Sequence, residues 1–264
     1  MKIAVSDFDG TMYFHQQDAI PPINLKAVDA WRKAGNIFVF CTGRDMRSLI
    51  YEISNHKLVF DYIICNNGGT IFDNKLNVLK AYPLDKQAWT TLVKSDIAKH
   101  SWHIMYSCVN KMRTTIQHYR SPLLNYFEAP KYKHQQIIKR ISINQAIQEL
   151  EPEQISLAYD SEEQARFYIQ QIEKQFDHIF SANLNINYVD VCAYGVTKAQ
   201  GIHDLLALKH WQDEEVLTIG DGQNDVPMIE EFNGFSLQKA TKQAQEAAHK
   251  LYDSLGAMLL DNLK

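Results

Sequence analysis

The sequence has no excess of positive charge. Its 27 Lys and Arg residues against 31 Asp and Glu give a formal net charge of −4 over 264 residues, which argues against a nucleic-acid-binding surface. It has no apolar run near the roughly 18 residues needed to span a bilayer. The N-terminal residues show no basic n-region, apolar h-region or cleavage site, so a cytoplasmic protein with no membrane partner is expected. The four cysteines, Cys41, Cys65, Cys108 and Cys192, form no CxxC pair. That speaks against a zinc ribbon or a thioredoxin-like motif and reads them as small core residues in a reducing compartment. His100 and His103 are separated only by Ser-Trp and are not read as a metal site. There is no internal repeat and no low-complexity segment. What remains is an ordinary globular composition, 45% apolar and 22% charged, at a length more typical of two domains than of one. The basic cluster "KYKHQQIIKR" (131–140) fits either a solvated face or a contact for an anionic substrate or partner. Nothing in the sequence bears on oligomeric state.

Along the chain, "KIAVSD" reads as a strand buried on both faces. Residues 23–34 carry Ile23, Leu25, Ala27, Val28, Trp31 and Ala34 at mostly helical spacing, closed by Gly35. "NIFVFCTGR" is a second strand, "DMRSLIYEISNHK" a helix and "FDYIICNNGG" a third strand. This β-α-β-α-β alternation predicts a parallel sheet covered by helices, a Rossmann-like α/β core with helices on both faces. The middle of the chain is different. After a helix beginning near Pro83, strands come in close pairs, "HIMYSCV" with "KMRTTIQ" and "IFSANL" with "INYVDVCA", as in a separate α+β domain with a largely antiparallel sheet. The alternating pattern returns with "GVTKAQGIHDLLALKHW", "EEVLTIGDG" and "NDVPMIEEF". Residues 1–83 and 191–264 are therefore expected to form the core, with 84–190 as an insertion.

Three core strands end in polar clusters, "SDFDGT", "CTGR" and "IGDGQND". In open parallel sheets ligands bind beyond the carboxyl ends of the strands, so these clusters are expected to meet, and with them Asp7, Asp9, Asp221 and Asp225. Crowded carboxylates repel one another, and a hard divalent cation such as Mg²⁺ relieves that repulsion. Asp221 and Asp225 are four apart, so a helix starting between them lets both face one side. Thr42 and Gly43 lie between a strand and a helix, where backbone N–H groups favour an anion. Thr197 and Gln200 are spaced as a capping box. That puts Lys198 in the first turn of a helix, where the dipole disfavours a cation. Lys198 is thus placed for something other than helix stability, and a phosphoryl group is a suitable target.

Taken together and in order, "DFDGT", "TGR", "GVTK" and "GDGQND" resemble the motifs of the haloacid dehalogenase-like phosphatases. The insertion is similar to the class IIB α/β cap of the Cof-type subgroup. The resemblance implies that Asp7 is the nucleophile and forms an aspartyl-phosphate. Asp9 would be the general acid/base. Asp7, the main-chain carbonyl of Asp9, and Asp221 would hold Mg²⁺, completed or supported by Asp225. Thr42, Gly43, Arg44, Lys198 and Asn224 would bind the phosphoryl or substrate oxygens, with Asn67 near the leaving group. Ala199 departs from a frequent Gly, and Lys239–Ala240 from a common Asn-Ala pair. The implied activity is hydrolysis of small phosphorylated metabolites, sugar phosphates first. Phosphotransferase or mutase chemistry on the same Asp7 is the alternative, and a non-enzymatic binding protein a remoter one. Tyr106, Lys111 and Arg113 in the insertion are candidates for substrate selection, against the alternative of ordinary buried or solvated side chains.

Overall fold

In the computed structural model, which describes residues 1–14, 19–128 and 138–263, the chain forms two compact units. One comprises Met1–Arg44, Leu49–Lys80 and Thr197–Lys264, and the other Asp45–Ser48 and Ala81–Val196. The elements run β1 (Lys2–Ser6), α1 (Pro22–Lys33), β2 (Ile37–Cys41), α2 (Met46–His56), β3 (Tyr62–Cys65), β4 (Thr70–Asp73) and β5 (Val78–Ala81). There follow α3 (Lys86–Lys94), α4 (Asp96–Lys99), β6 (His103–Cys108), β7 (Lys111–Ile116), α5 (Leu123–Glu128), β8 (Ile138–Arg140), α6 (Ile143–Glu149), β9 (Gln154–Ala158), α7 (Glu162–Gln175), β10 (Phe180–Asn185) and β11 (Tyr188–Ala193). The last part is α8 (Lys198–Lys209), β12 (Glu215–Gly220), α9 (Val226–Glu231), β13 (Phe235–Leu237), α10 (Lys242–Ala247), β14 (Lys250–Tyr252) and α11 (Leu255–Asp261). Among the described residues no helix is long and apolar enough to cross a membrane.

In the first unit an eight-stranded sheet has the order β14-β13-β12-β1-β2-β3-β4-β5. β1 pairs in parallel with β2 and with β12, and the parallel pairing extends to β3 on one side and to β13 and β14 on the other. Beyond β3 the pairing becomes antiparallel, through a tight turn at Asn66–Gly68 into β4. Side chains alternate across a strand. Ile3, Val5, Val39 and Cys41 pack with Ile202 and Leu205 of α8 and with Met228 and Ile229 of α9. Ala4, Phe38 and Phe40 are also buried and point the other way. There α1 lies against β2, with the Trp31 indole N–H donating to the Ile37 carbonyl at 2.8 Å. Helices on both faces explain why β1 and β2 read as continuous apolar runs rather than alternating ones. α1 opens with Pro22, whose missing N–H has no helical partner to lose, and ends at Gly35, where φ is 83°. The strand order reverses at β1, since the chain moves outward through β2 and β3 and resumes on the other flank at β12. The loops after β1, β2 and β12 thus open onto a topological switch point.

The second unit holds a six-stranded mixed sheet, β10-β11-β9-β6-β7-β8, antiparallel except for the parallel β7–β8 pair. Trp89 and Leu92 of α3 pack with Ile104, Ile155, Leu157, Val189 and Val191 of the sheet. Tyr106 belongs to this core too. It is fully buried, edge-on to Trp89 with ring centroids 6.2 Å apart, and its hydroxyl lies 3.4 Å from Thr115 Oγ1. Of the two readings that the sequence leaves open for it, substrate selection and burial, it takes burial. Lys111 donates to the Glu149 carbonyl at 3.3 Å and Arg113 to the Met112 carbonyl at 2.9 Å. Residues 131–137 of the basic cluster lie outside the described residues, and the remaining three form β8 with Lys139 and Arg140 exposed.

Glu153, just before β9, is only 4% exposed, and among the described residues its Oε2 has no hydrogen-bond partner. Burial pushes its carboxyl up to about 7. A carboxyl whose folded pKa lies above its unfolded value of 4.5 contributes fully below that value, and the contribution is lost as pH rises through about 7. Glu153→Gln should therefore leave stability unchanged near pH 4.5 and raise it above pH 7, by up to about 3 kcal/mol. Chemical unfolding of both proteins across this range checks the sign, and an equal gain at all pH values would contradict it.

Candidate active site

β1 runs into the site without a break in its hydrogen bonding. The Asp7 N–H donates to the Ile219 carbonyl at 2.9 Å, which continues the ladder with β12 by one residue. Phe8 then turns inward, fully buried and edge-on to Phe40 at 5.4 Å. This anchor directs Asp7 and Asp9 away from the core on either side of it. The chain next curls tightly, with the N–H groups of Met12 and Tyr13 both donating to the Phe8 carbonyl, at 2.9 and 2.8 Å. Gly10 has φ of 86°, and a Cβ there would overlap the Asp221 carboxylate. Only glycine permits both that backbone and that approach.

β12 ends at Gly220, and the loop behind it folds back on itself. Asp225 Oδ2 accepts from the N–H groups of Asp221 at 2.9 Å and Gly222 at 2.8 Å. Asp221 Oδ1 accepts from Thr11 Oγ1 at 2.7 Å. Lys198 enters from the start of α8. Thr197 caps that helix by accepting from the Gln200 N–H at 3.1 Å. The other half of the expected capping box does not form, because the Gln200 side chain donates to Asp204 at 3.2 Å instead. The Lys198 side chain is 0% exposed, and its Nζ donates to Asp7 Oδ1 at 2.5 Å and to Asp225 Oδ1. One ammonium thus joins the strand ends of β1 and β12.

Burial raises the Asp7 carboxyl well above the ordinary range; Lys198 opposes this, while Asp225, Asp221 and Asp9 add to it. Asp221 is pushed up to about 6, by burial first and by Asp225 second. Burial works against charge on Lys198 too, but Asp225 and Asp7 outweigh it and hold the ammonium protonated. One lysine is therefore too little positive charge for this cluster. Asp7, Asp221 and Asp225 each offer an oxygen, and these oxygens lie within 4.8 Å of one another. An all-carboxylate donor set of this size fits a hard cation such as Mg²⁺. Asp225 has both oxygens engaged by Lys198 and by backbone N–H groups, which suits it to supporting such a site. Asp7 and Asp221 are better placed to ligate directly.

The third strand end completes the group. Thr42 is buried, with its N–H on the Ile64 carbonyl at 2.8 Å and its Oγ1 accepting from the Arg44 N–H at 3.2 Å. Gly43 lies against the Asn67 side chain, which a Cβ would approach to 3.2 Å. Asn67 is itself buried, with φ of 54°; its N–H donates to the Thr42 carbonyl at 3.0 Å, and its Oδ1 accepts from Asn224 Nδ2 at 3.0 Å. Asn67 thus ties the β2, β3 and β12 loops together. Arg44 has its guanidinium on Asp9, at 2.7 Å for both bonds. Two contributors were missed in the sequence. Thr11 buttresses Asp221 from within "DFDGT", where its conjunction with the aspartates was a usable signal. Glu52 stands 3.5 Å from Arg44 and carried no signal, being one acid among several on an amphipathic helix.

The chain is similar to known proteins along most of its length. The family model described as haloacid dehalogenase-like hydrolase matches residues 4–255. Bacillus subtilis YkrA is 24% identical over 261 residues, covering 94% of this chain and 90% of that protein. The 5-amino-6-(5-phospho-D-ribitylamino)uracil phosphatase YbjI of Escherichia coli is 24% identical over 257 residues, covering 94% and 89%. Among solved structures, the subclass IIB sugar phosphatase BT4131 superposes with a TM-score of 0.82 at 20% identity over 100% of both chains. A haloacid dehalogenase-like hydrolase from B. subtilis gives 0.83 at 16% identity, covering 98% of this chain and 99% of that one.

Proposed function

The chain belongs to the haloacid dehalogenase-like hydrolases, and on that premise we propose that it is a Mg²⁺-dependent phosphatase of small phosphorylated metabolites, sugar phosphates foremost, working through an aspartyl-phosphate on Asp7. Asp7 carries the reading: a buried carboxylate at a strand end, ion-paired to a fully buried lysine and crowded by two further aspartates. No structural role calls for that concentration of charge. The phosphatase named among the relatives and the sugar phosphatase named among the structures support the substrate class. Four buried free cysteines are in keeping with a reducing, cytoplasmic setting.

In this mechanism an Asp7 oxygen attacks phosphorus, the bond from phosphorus to the leaving oxygen breaks, and that oxygen takes a proton from Asp9. Asp9 then accepts a proton from water as the water oxygen attacks the same phosphorus. Inorganic phosphate leaves and Asp7 is regenerated. Lys198 neutralises charge on Asp7, so that an anionic nucleophile can approach a phosphate dianion. Thr42, Gly43 and Asn224 cradle the phosphoryl oxygens, with Asn67 bracing them. Asp7, Asp221 and the main-chain carbonyl of Asp9, supported by Asp225, would hold Mg²⁺, which supplies further charge neutralisation when bound.

The purified protein should release phosphate from p-nitrophenyl phosphate and from members of a sugar-phosphate panel in the presence of Mg²⁺. Chelation with EDTA should reduce turnover to background, and added Mg²⁺ should restore it. Turnover that persists in EDTA, or a panel with no phosphate release, would sink the reading.

A further inference from the structure

Asp9 does not stand alone at the mouth of the site. Arg44 Nε donates to its Oδ2 and Nη2 to its Oδ1, both at 2.7 Å, a bidentate fork. The guanidinium is fixed in turn. Its Cζ lies 5.2 Å from the Phe8 ring centroid and 5.9 Å from that of Tyr13, and Nη1 is 3.5 Å from Glu52 Oε1 on α2. Its backbone is pinned as well, with the N–H on Thr42 Oγ1 at 3.2 Å and the carbonyl accepting from the Asn66 N–H at 2.9 Å. The side chains of Arg44 and Glu52 are only 16% and 17% exposed, against 33% for Asp9.

We propose that Arg44 is the positioning residue of Asp9: it fixes the direction of the carboxylate that handles the proton, and Glu52 and the two aromatic rings hold it to that task. The proposal rests on the reading of Asp9 as proton donor given above. A guanidinium reserved for substrate phosphate would aim its donors at the open site. Here Nε and Nη2 face Asp9, and Nη1 faces Glu52. A carboxylate has about four lone-pair sites, and the fork engages one on each oxygen, which fixes the plane in which Asp9 lies. The gain is the side-chain freedom that Asp9 need not lose again in each turnover. Lysine, a point charge without a fork, cannot reproduce it.

Leaving-group dependence tests this. p-Nitrophenolate departs without a proton, whereas an alkoxide such as that of glycerol 3-phosphate needs one. In Arg44→Lys and Arg44→Gln the ratio of kcat/KM for the aryl ester to that for the alkyl ester should rise about tenfold or more, since general acid catalysis of this kind contributes two or more orders of magnitude. Asp9→Asn should raise the ratio further, and Arg44→Lys added to Asp9→Asn should change it little. A ratio that stays constant while KM rises for both esters would make Arg44 a phosphate ligand and overturn the proposal. A constant ratio with equal losses and a lower melting temperature would make it structural, with the same consequence. If the ratio moves in Asp9→Asn but not in the Arg44 variants, the positioning role alone falls. If Asp9→Asn leaves it unmoved, the proton reading of Asp9 falls and takes this proposal with it.

Discussion

Asp7→Asn should yield a folded protein whose phosphatase turnover is lower by about three orders of magnitude or more, the scale of losing a nucleophile from a working constellation. The substitution is nearly isosteric, and an amide oxygen can still accept from Lys198, which donates to Asp7 Oδ1 at 2.5 Å. An amide oxygen is nevertheless far too weak a nucleophile to form the bond to phosphorus. Folding should not suffer, because the change removes one of three crowded carboxylates, and burial and acidic neighbours already disfavour Asp7 as an anion. The discriminating measurement pairs steady-state phosphate release with thermal unfolding of the same preparation. Near-native turnover in Asp7→Asn would remove Asp7 from the chemistry. A collapse of both activity and melting temperature would say instead that Asp7 is needed for the fold, leaving its chemical role unproven.

Much of the core was legible because its information is local. β1 and β2 announced themselves as apolar runs, and each of the three polar clusters sat where a strand must end. The parallel pairing of β12-β1-β2 then brings those ends together. Lys198 was legible by its oddness, a cation in the first turn of a helix, and the structure gives the reason in the two carboxylates it joins. What escaped was the choice of partner. Arg44 and Asp9 are 35 residues apart, and Thr11 and Asp221 are 210 apart; no local pattern pairs them. Asn67 owes its bracing role to a left-handed backbone and to contacts from other loops, neither of which "NNGG" could specify. The Gln200 side chain had two acceptable partners and took Asp204 over the helix cap. Tyr106 was open between substrate selection and burial, and the structure decides for burial: Ile104 and Tyr106 alternate with Met105 along β6, and the period of two puts Tyr106 on the core side with Ile104.

Lys198→Met should strongly destabilise the core. The side chains of Lys198, Asp7 and Asp225 are 0%, 7% and 1% exposed, so water cannot replace the lost ammonium. Breaking a buried ion pair from one side leaves uncompensated charge and typically costs about 3–5 kcal/mol. Met fills similar volume, so the loss is electrostatic rather than a cavity. Two dependences separate this cause from a packing defect. The deficit should shrink as pH falls, because the carboxyls facing the gap take up protons and no longer need a cation; Asp7 is already raised well above its ordinary range, so it protonates early on that descent. It should also shrink on adding Mg²⁺, which offers the same carboxylates a substitute positive charge. Activity should stay low even with saturating Mg²⁺, since the charge neutralising the approach to phosphate would still be missing. Denaturant unfolding of both proteins at pH 5 and pH 8, with and without Mg²⁺, reads all of this in one grid. A deficit independent of both pH and metal would mean that Lys198 holds the core by packing, and that the carboxylate cluster balances its charge without it.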